Sequence, residues 1–559
     1  MPVTTYDFVV VGGGAAGCVL ANRLSADPRH RVLLLEAGGP DYWWDVFIHM
    51  PAAMGMAMNS RRHNWNYVSE PEPHLGGRRI VHPRGRVLGG SSSINAMTYV
   101  RGNRANFDHW AELTGMSDWD YAHCLPYFRR AEDSAVVDDA YHGHGGPQGL
   151  DVAPADNPLF ELFFEAAQQA GFGLTDDLNG AQQEGFGRFE RFIRHGRRVS
   201  SSRAYLHPVK GRRNLEVRTR AYATQILFRG TRANAVIYRD GRGAEHVVRG
   251  NEIILSGGAF NTPQLLQLSG VGDTSALTPL GIDAVQHLPG VGEQLEDHLA
   301  VHVQHKCTQP LSAAPMKDKK NWPLMGAQWL LGRGPATSNI FEAAGFVRSN
   351  EDMAFPDVII GFAPLAMAFD PEHPAEGHGY QCHVSTMAAR ARGSVRIASA
   401  DPTRQPRIIL NYLDNARDRE DWIKAIRIAR EVLSQPAFRD VDGGETLPGP
   451  DVRTDDEIIA WVQRVAQTGL HPTGTCRMGH EEMSVVDPGS LRVLGVDGLR
   501  VVDASVFPSV PNTQTYAATL MVAEKASDLI LGRTPAAPEY PGTARPQPST
   551  GTDVPAVVS

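Results

Sequence analysis

Tyr6-Asp7-Phe8-Val9-Val10-Val11-Gly12-Gly13-Gly14-Ala15-Ala16-Gly17 is the stretch that decides the fold of this chain. A short, valine-rich apolar run reads as a buried parallel strand. The glycines end it at once. Gly12, Gly14 and Gly17 fit G-x-G-x-x-G. In that pattern the first glycine permits a tight turn and the second lets the backbone approach a pyrophosphate. The third lets the next helix pack close to the strand. Residues 16–25 have helical character, 32–35 form a second apolar run, and Glu36 closes it. The spacing predicts a βαβ unit with a right-handed crossover. The start of its helix, at Ala15 and Ala16, offers free N–H groups to phosphates. Glu36 follows Gly12 by 24 residues, where an acid accepts hydrogen bonds from ribose hydroxyls. The loop by itself suits either FAD or a nicotinamide dinucleotide.

Two further runs, 252–255 and 499–502, suit the same sheet. Small residues follow each, Ser256-Gly257-Gly258-Ala259 and Asp503-Ala504-Ser505. Strands so distant in sequence predict a Rossmann-like dinucleotide domain assembled from residues 1–160, 211–309 and 461–534. Residues 161–210 and 310–460 are assigned to a substrate domain. Alternating runs at 393–397 and 407–410 predict an antiparallel sheet there, and 418–433 reads as an amphipathic helix. The expected fold class is α/β combined with α+β. Residues 535–559, rich in Pro, Ala, Thr and Gly, are expected to be a disordered tail.

Composition narrows the function classes. The 559 residues carry 54 basic and 62 acidic side chains, a net charge of −8, with no basic block. Nucleic acid is therefore not an expected partner. The five cysteines are odd in number and form no CxxC pair, which suits a reducing cytoplasm rather than a disulfide framework. No His/Cys/Asp cluster has ligand spacing, so no metal is expected. No run approaches the ~20 apolar residues of a spanning helix. The expected location is cytoplasmic, with peripheral contact at the inner membrane face left open.

Three longer stretches carry a family resemblance. Gly85-Arg86-Val87-Leu88-Gly89-Gly90-Ser91-Ser92-Ser93-Ile94-Asn95, continuing to Tyr99, Gly102 and Asp108, resembles the first signature of the glucose–methanol–choline oxidoreductases. Residues 258–272, from Gly258-Ala259-Phe260-Asn261-Thr262-Pro263 onward, look like the second. The third is His471-Pro472-Thr473-Gly474-Thr475-Cys476-Arg477-Met478-Gly479, with Val501-Val502-Asp503-Ala504-Ser505 downstream. The likeness runs from about 5 to 533. His63-Asn64-Trp65-Asn66-Tyr67 and Gln183-Glu184-Gly185-Phe186-Gly187 bring it nearest to the choline- and alcohol-dehydrogenase branch.

The resemblance implies FAD, held at Gly12, Gly14, Ala15, Ala16, Gly17 and Glu36, and at Val87, Leu88, Gly90, Asn95, Ala96 and Met97. Asp503, Ala504 and Thr515 complete the set, and the backbone of Ala223 would meet the adenine. Choline oxidases attach FAD through a histidine just before the asparagine. Ile94 stands there in this chain, so non-covalent FAD is expected.

Alcohol oxidation needs a base for the hydroxyl proton and an acceptor for the hydride. A histidine suits the first and flavin the second. The chain has 21 histidines. The family motif singles out His471 as the base. Counting back from Ala523-Glu524-Lys525 puts Gln514 where relatives carry a second His or Asn. A slip in that count would nominate Asn512 or Tyr516. Glu342 aligns with an acid that faces the trimethylammonium group in choline oxidases, with Trp65 and Phe341 as aromatic candidates beside it. Its plainer role is an ion pair within the substrate domain.

The expected reaction is oxidation of a primary alcohol, with a quinone-like acceptor or oxygen taking the electrons. An oxygen-using oxidase differs only in that last step. A hydroxynitrile-lyase-like protein that holds FAD without redox turnover is the alternative from another class.

Overall fold

The computed structural model describes residues 5–137, 140–367 and 377–541. The strand Thr5–Val11 runs through the middle of a seven-stranded sheet, parallel to Val32–Glu36 on one side and Glu245–Leu255 on the other. Val9 is in register with both Leu33 and Ile253. Leu215–Thr219 adds beyond Val32–Glu36, and Leu499–Val501 pairs with Glu245–Leu255, again in parallel. The widely separated runs thus share one sheet. Every residue of Val32–Glu36 is buried. Burial on both faces is why this strand reads as a near-continuous apolar run rather than an alternating one. The first half of Glu245–Leu255 turns away to pair with the hairpin Tyr222–Arg229 and Arg232–Arg239.

The helix Ala15–Leu24 buries almost all its residues, packing on the C-terminal helix Tyr516–Leu531. A helix covered all round needs no polar stripe. Its one charged residue, Arg23, forks onto Glu524 at 2.7–3.1 Å.

The second sheet also has seven strands and is antiparallel throughout. Asp442–Leu447, Leu299–Cys307, Gly379–Thr386, Val358–Ala363, Ala343–Val347 and Gly185–Arg188 follow in that order, and Gln467–Thr468 pairs with the start of Leu299–Cys307. It therefore reaches past the expected boundaries of 309 and 461. The runs at 393–397 and 407–410 do pair, as Ser394–Arg396 with Arg407–Ile409, but as a separate ribbon. Gln267 holds that ribbon to the helix Gly258–Leu268, donating to Val395 O at 2.8 Å and accepting from Ile397 N at 2.8 Å. The helix Ala416–Leu433, capped by Asn415, covers the sheet with Trp422, Ile426 and Val432.

The expected tail divides. Residues 535–541 dock on the helix Tyr121–Ala131: Ala536 N donates to the Tyr127 hydroxyl at 3.0 Å, Glu539 N to Ala122 O at 2.9 Å, and Glu539 pairs with Arg129. Residues 542–559 lie outside the described residues. No helix among those described is long and apolar enough to cross a membrane.

One buried charge network leaves no mark in the local sequence. His142, Asp177 and Glu190 place potential ligand atoms within 4.8 Å of one another. Protein partners fill that space. His142 Nε2 lies 2.8 Å from Asp177, and Arg101 pairs with Glu132 beside the ring. Burial would lower His142, but hydrogen bonds to Asp177 and Glu132 raise it to about 9. A guanidinium and an imidazolium among the carboxylates make this an ion-pair network.

Candidate active site

The turns that follow the parallel strands open onto one cavity. Gly12, Gly14, Ala15, Ala16 and Glu36 form one wall, and Gly90, Ile94 and Asn95 cross it. Ala223, Asp503, Ala504 and Thr515 line it too, as do His471 and Gln514.

Close backbone approach explains the small residues. Gly12 has φ +109, and a Cβ there would lie 2.3 Å from Ser256 O. A Cβ on Gly90 would meet Gly14 Cα at 2.6 Å, so the second segment crosses directly over the first. Gly17 lies outside the cavity wall and serves packing: its Cβ would lie 1.8 Å from Gly12 O.

These residues fit a dinucleotide. Gly14, at the helix start, faces open space: a Cβ there would meet nothing closer than Ser256 O at 3.9 Å. Its neighbours Ala15 and Ala16 begin the helix, whose free N–H groups favour phosphate. The Ser256 hydroxyl, on the same wall, is buried without a partner. Glu36 accepts from Gly13 N at 2.8 Å and Gly38 N at 2.6 Å. Burial outweighs those bonds and pushes its carboxyl up to about 7. A carboxylate has about four acceptor positions, so two remain for ribose hydroxyls. Asp503 binds Gly258 N, the Thr262 hydroxyl and Ser505 N at 2.6–2.8 Å, pinning the start of the helix Gly258–Leu268 to the last turn of the sheet. Asn95 Oδ1 accepts from Arg198 Nη1 at 2.8 Å, which leaves its amide N–H groups for other partners.

His471 follows the strand Gln467–Thr468. Thr468 is in register with Leu299, so His298 and His471 emerge at the same end of that pair. Their Nδ1 atoms lie 3.0 Å apart. Asp297 accepts from His471 N at 2.6 Å, and also from the hydroxyls of Tyr412 at 2.6 Å and Thr468 at 2.5 Å. Arg84 donates to Leu470 O at 2.9 Å. The turn they hold is strained, since Leu470 has φ +68. Burial foremost, then repulsion from any proton on His298, from the Arg84 cation and from any proton on His383, holds His471 well below the ordinary histidine range. The imidazole is therefore neutral at neutral pH.

Gln514 faces this cavity, its Oε1 accepting from the Thr513 hydroxyl at 2.7 Å. Asn512 does not: its amide is consumed by Gln183, Pro356 O and Asn103 N. Tyr516 reaches the cavity wall, but its hydroxyl donates to Gln148 at 2.6 Å.

Other expected residues stand elsewhere. Val87, Leu88 and Met97 are buried and do not line the cavity, and Ala96 O accepts from Asn339. Trp65 lines the cavity beside Tyr222, with Arg86 4.7 Å over its ring. Phe341 faces His383 at 6.5 Å. Glu342 lies off the cavity wall. Its carboxylate accepts from Arg191 at 2.9 Å, Ser338 at 2.6 Å and Ala155 N at 2.9 Å. A carboxylate so satisfied is an internal ion-pair partner, so the expected acid-and-aromatic cage for a cation is not assembled.

His298, Asp297 and Arg84 were missed because no motif marks them. Only the register of Leu299 with Thr468 brings the first two to His471.

GMC oxidoreductase profiles match residues 6–300 and 389–523. An oxygen-dependent choline dehydrogenase of Staphylococcus saprophyticus is 51% identical over 541 residues, covering 96% of each chain. Its counterpart in Staphylococcus xylosus is 50% identical with the same coverage. Among solved structures, pyridoxine 4-oxidase from Mesorbium loti superposes with a TM-score of 0.85 at 31% identity, over 95% of this chain and all of its own. A formate oxidase variant of Aspergillus oryzae, studied for its FAD, gives 0.88 at 28%, over 95% and 99%. With a glycine-lined cavity that fits a dinucleotide and holds a neutral histidine in its wall, and likeness along nearly its whole length, the chain belongs to the GMC oxidoreductases, FAD-dependent enzymes acting on CH–OH donors.

Proposed function

We propose that this enzyme oxidises choline, or a primary alcohol like it, to the aldehyde. One observation carries the reading: the neutral His471 and the amide of Gln514 face the cavity that the glycine loop opens onto. His471 takes the hydroxyl proton. Gln514, oriented by Thr513, donates to the alcohol oxygen as negative charge develops there. FAD, when bound, supplies the acceptor for the α-carbon hydride. The relatives named for choline favour that substrate.

Gly12, Gly14, Ala15, Ala16, Gly90, Asn95, Asp503, Ala504 and Thr515 would hold the cofactor. Ile94 on the cavity wall has no nucleophilic atom, so acid precipitation should release FAD into the supernatant. Flavin that stays with the denatured protein would overturn non-covalent binding.

The decisive experiment is anaerobic flavin reduction by choline, aliphatic and aromatic alcohols. Mixing the reduced enzyme with oxygen or a soluble quinone follows. Bleaching by choline supports the proposal, and bleaching by other alcohols alone removes choline. No bleaching by any alcohol would favour a lyase-like, non-redox protein. Stoichiometric hydrogen peroxide would assign the electrons to oxygen.

A further inference from the structure

Large apolar side chains stand in solvent on two neighbouring segments. Trp43 is 79% exposed, Trp44 51% and Phe47 39%. On the other segment Leu324, Leu330 and Leu331 are 64%, 68% and 70% exposed. The segments meet where the turn Pro51–Ala53 packs on Pro335–Thr337. Both also border the hairpin 193–198. Arg198 Nε donates to Ile48 O at 2.7 Å, and Trp329 Nε1 to Gly196 O at 2.8 Å.

The helix Trp322–Leu330 has no charged residue, yet only Trp329 of it is buried. A helix apolar all round belongs in a protein core or a lipid phase. Patches of this kind mark contact surfaces.

The surrounding charge selects the partner. Residues 40–63 and 313–337 carry six exposed charged side chains: Arg61, Arg62, Lys317, Lys319, Lys320 and Arg333. All are basic, on a chain of net charge −8. The acids of these segments are paired, Asp41 and Asp45 in buried positions and Asp318 at the surface. Asp41 pairs with His207, Asp45 with His63 and Asp318 with Lys320. Arg62 lies over the stacked rings of Tyr42 and Trp44. A second copy of the chain would set these cations against one another. An anionic bilayer would neutralise them and take up the tryptophans and leucines at the headgroup boundary.

We propose that this face docks on an anionic lipid surface, with the helix Trp322–Leu330 in the headgroup layer and Trp43 and Trp44 beside it. The surface adjoins the catalytic cavity, because the helix Met54–Met58 exposes Met56 and turns Met58 to the cavity wall. Docking is independent of which alcohol the site takes.

The test uses the FAD-loaded full chain with vesicles of phosphatidylcholine alone and of phosphatidylcholine mixed with phosphatidylglycerol. The protein should sediment with the mixed vesicles, less so at high salt. Replacing Trp43, Trp44, Leu330 and Leu331 together by Ser should cut partitioning at least about tenfold. Flavin reduction by alcohol in solution should stay unchanged. Arg61→Glu with Arg62→Glu should weaken binding to the mixed vesicles. No sedimentation, or equal binding to neutral vesicles, would overturn the proposal. So would a dimer that the serine variant dissociates, which would assign the face to a second copy.

Discussion

The Nδ1 atoms of His298 and His471 lie 3.0 Å apart, with the rings inclined at 76°. One nitrogen must donate and the other accept. When His471 donates, its Nε2 keeps a free lone pair, the form a base requires. Burial lowers His298 to about 4, so it stays neutral and able to accept. His298→Phe removes the acceptor and should slow flavin reduction about ten- to a hundredfold, with FAD retained. His298→Gln restores a carbonyl acceptor and should recover part of the loss. Stopped-flow reduction of both variants checks this, and an unchanged rate in His298→Phe would remove His298 from the positioning of the base.

The depressed pKa of His471 sets the direction of the pH profile. The base form is populated above the folded pKa, which burial and then nearby positive charge hold below the ordinary histidine range. Flavin reduction should therefore stay level as pH falls from 8 to about 6.5, and decline only below that. Arg84→Met removes one of those cations and should move the acid limb upward. An acid limb above pH 7 in the unaltered enzyme would contradict the assignment.

Removing the base itself is the most direct chemical test. His471→Ala should lose about 10²–10⁴ in the rate of flavin reduction. FAD content should hold, since the glycine loop and Glu36 lie on other segments. Near-normal reduction would exclude His471 as the base.

What the chain discloses in advance follows the range of each interaction. The βαβ unit was legible because strand, turn and helix lie within 36 residues and each leaves a local pattern. The parallel runs at 252–255 and 499–502 were legible because burial leaves them mostly apolar, the exceptions Glu252 and Arg500 pairing with each other. Leu299–Cys307 was less so. It carries His302, Gln304 and His305, yet all three are buried, so polarity hid a central strand. His471 stood out through its motif, but His298 was one histidine among 21 until Leu299 paired with Thr468. Glu342 misled for the same reason. Its partner Arg191 lies 151 residues away, and nothing local announces the pair.

The network at His142 yields a stability prediction with a defined sign. Its folded pKa, about 9, lies above the unfolded value, as Asp177 and Glu132 overcome the effect of burial. The resulting stabilisation is fully present below about pH 6.5 and lost as pH rises through 9. His142→Gln should lower the thermal midpoint at pH 6 but progressively less toward pH 10. Breaking one partner of a buried pair costs about 3–5 kcal/mol. A gap between variant and parent that widens with pH would show that His142 is neutral in the folded protein.

Glu342 separates a structural carboxylate from a substrate-reading one. Its oxygens are already taken by Arg191, Ser338 and Ala155 N. Glu342→Gln leaves the buried Arg191 with Asp151, at 3.3 Å, as its one carboxylate partner among the described residues. The variant should therefore lose about 3 kcal/mol of stability or more, seen as a lower thermal midpoint. Selectivity should not move: kcat/KM for choline relative to an uncharged alcohol of similar size should stay within about twofold. A carboxylate in contact with the trimethylammonium group would behave otherwise. Its loss would cost choline alone more than about tenfold, or 1.4 kcal/mol, and spare the neutral alcohol. That selective loss would return Glu342 to the substrate site and require Arg191 to release it when substrate binds.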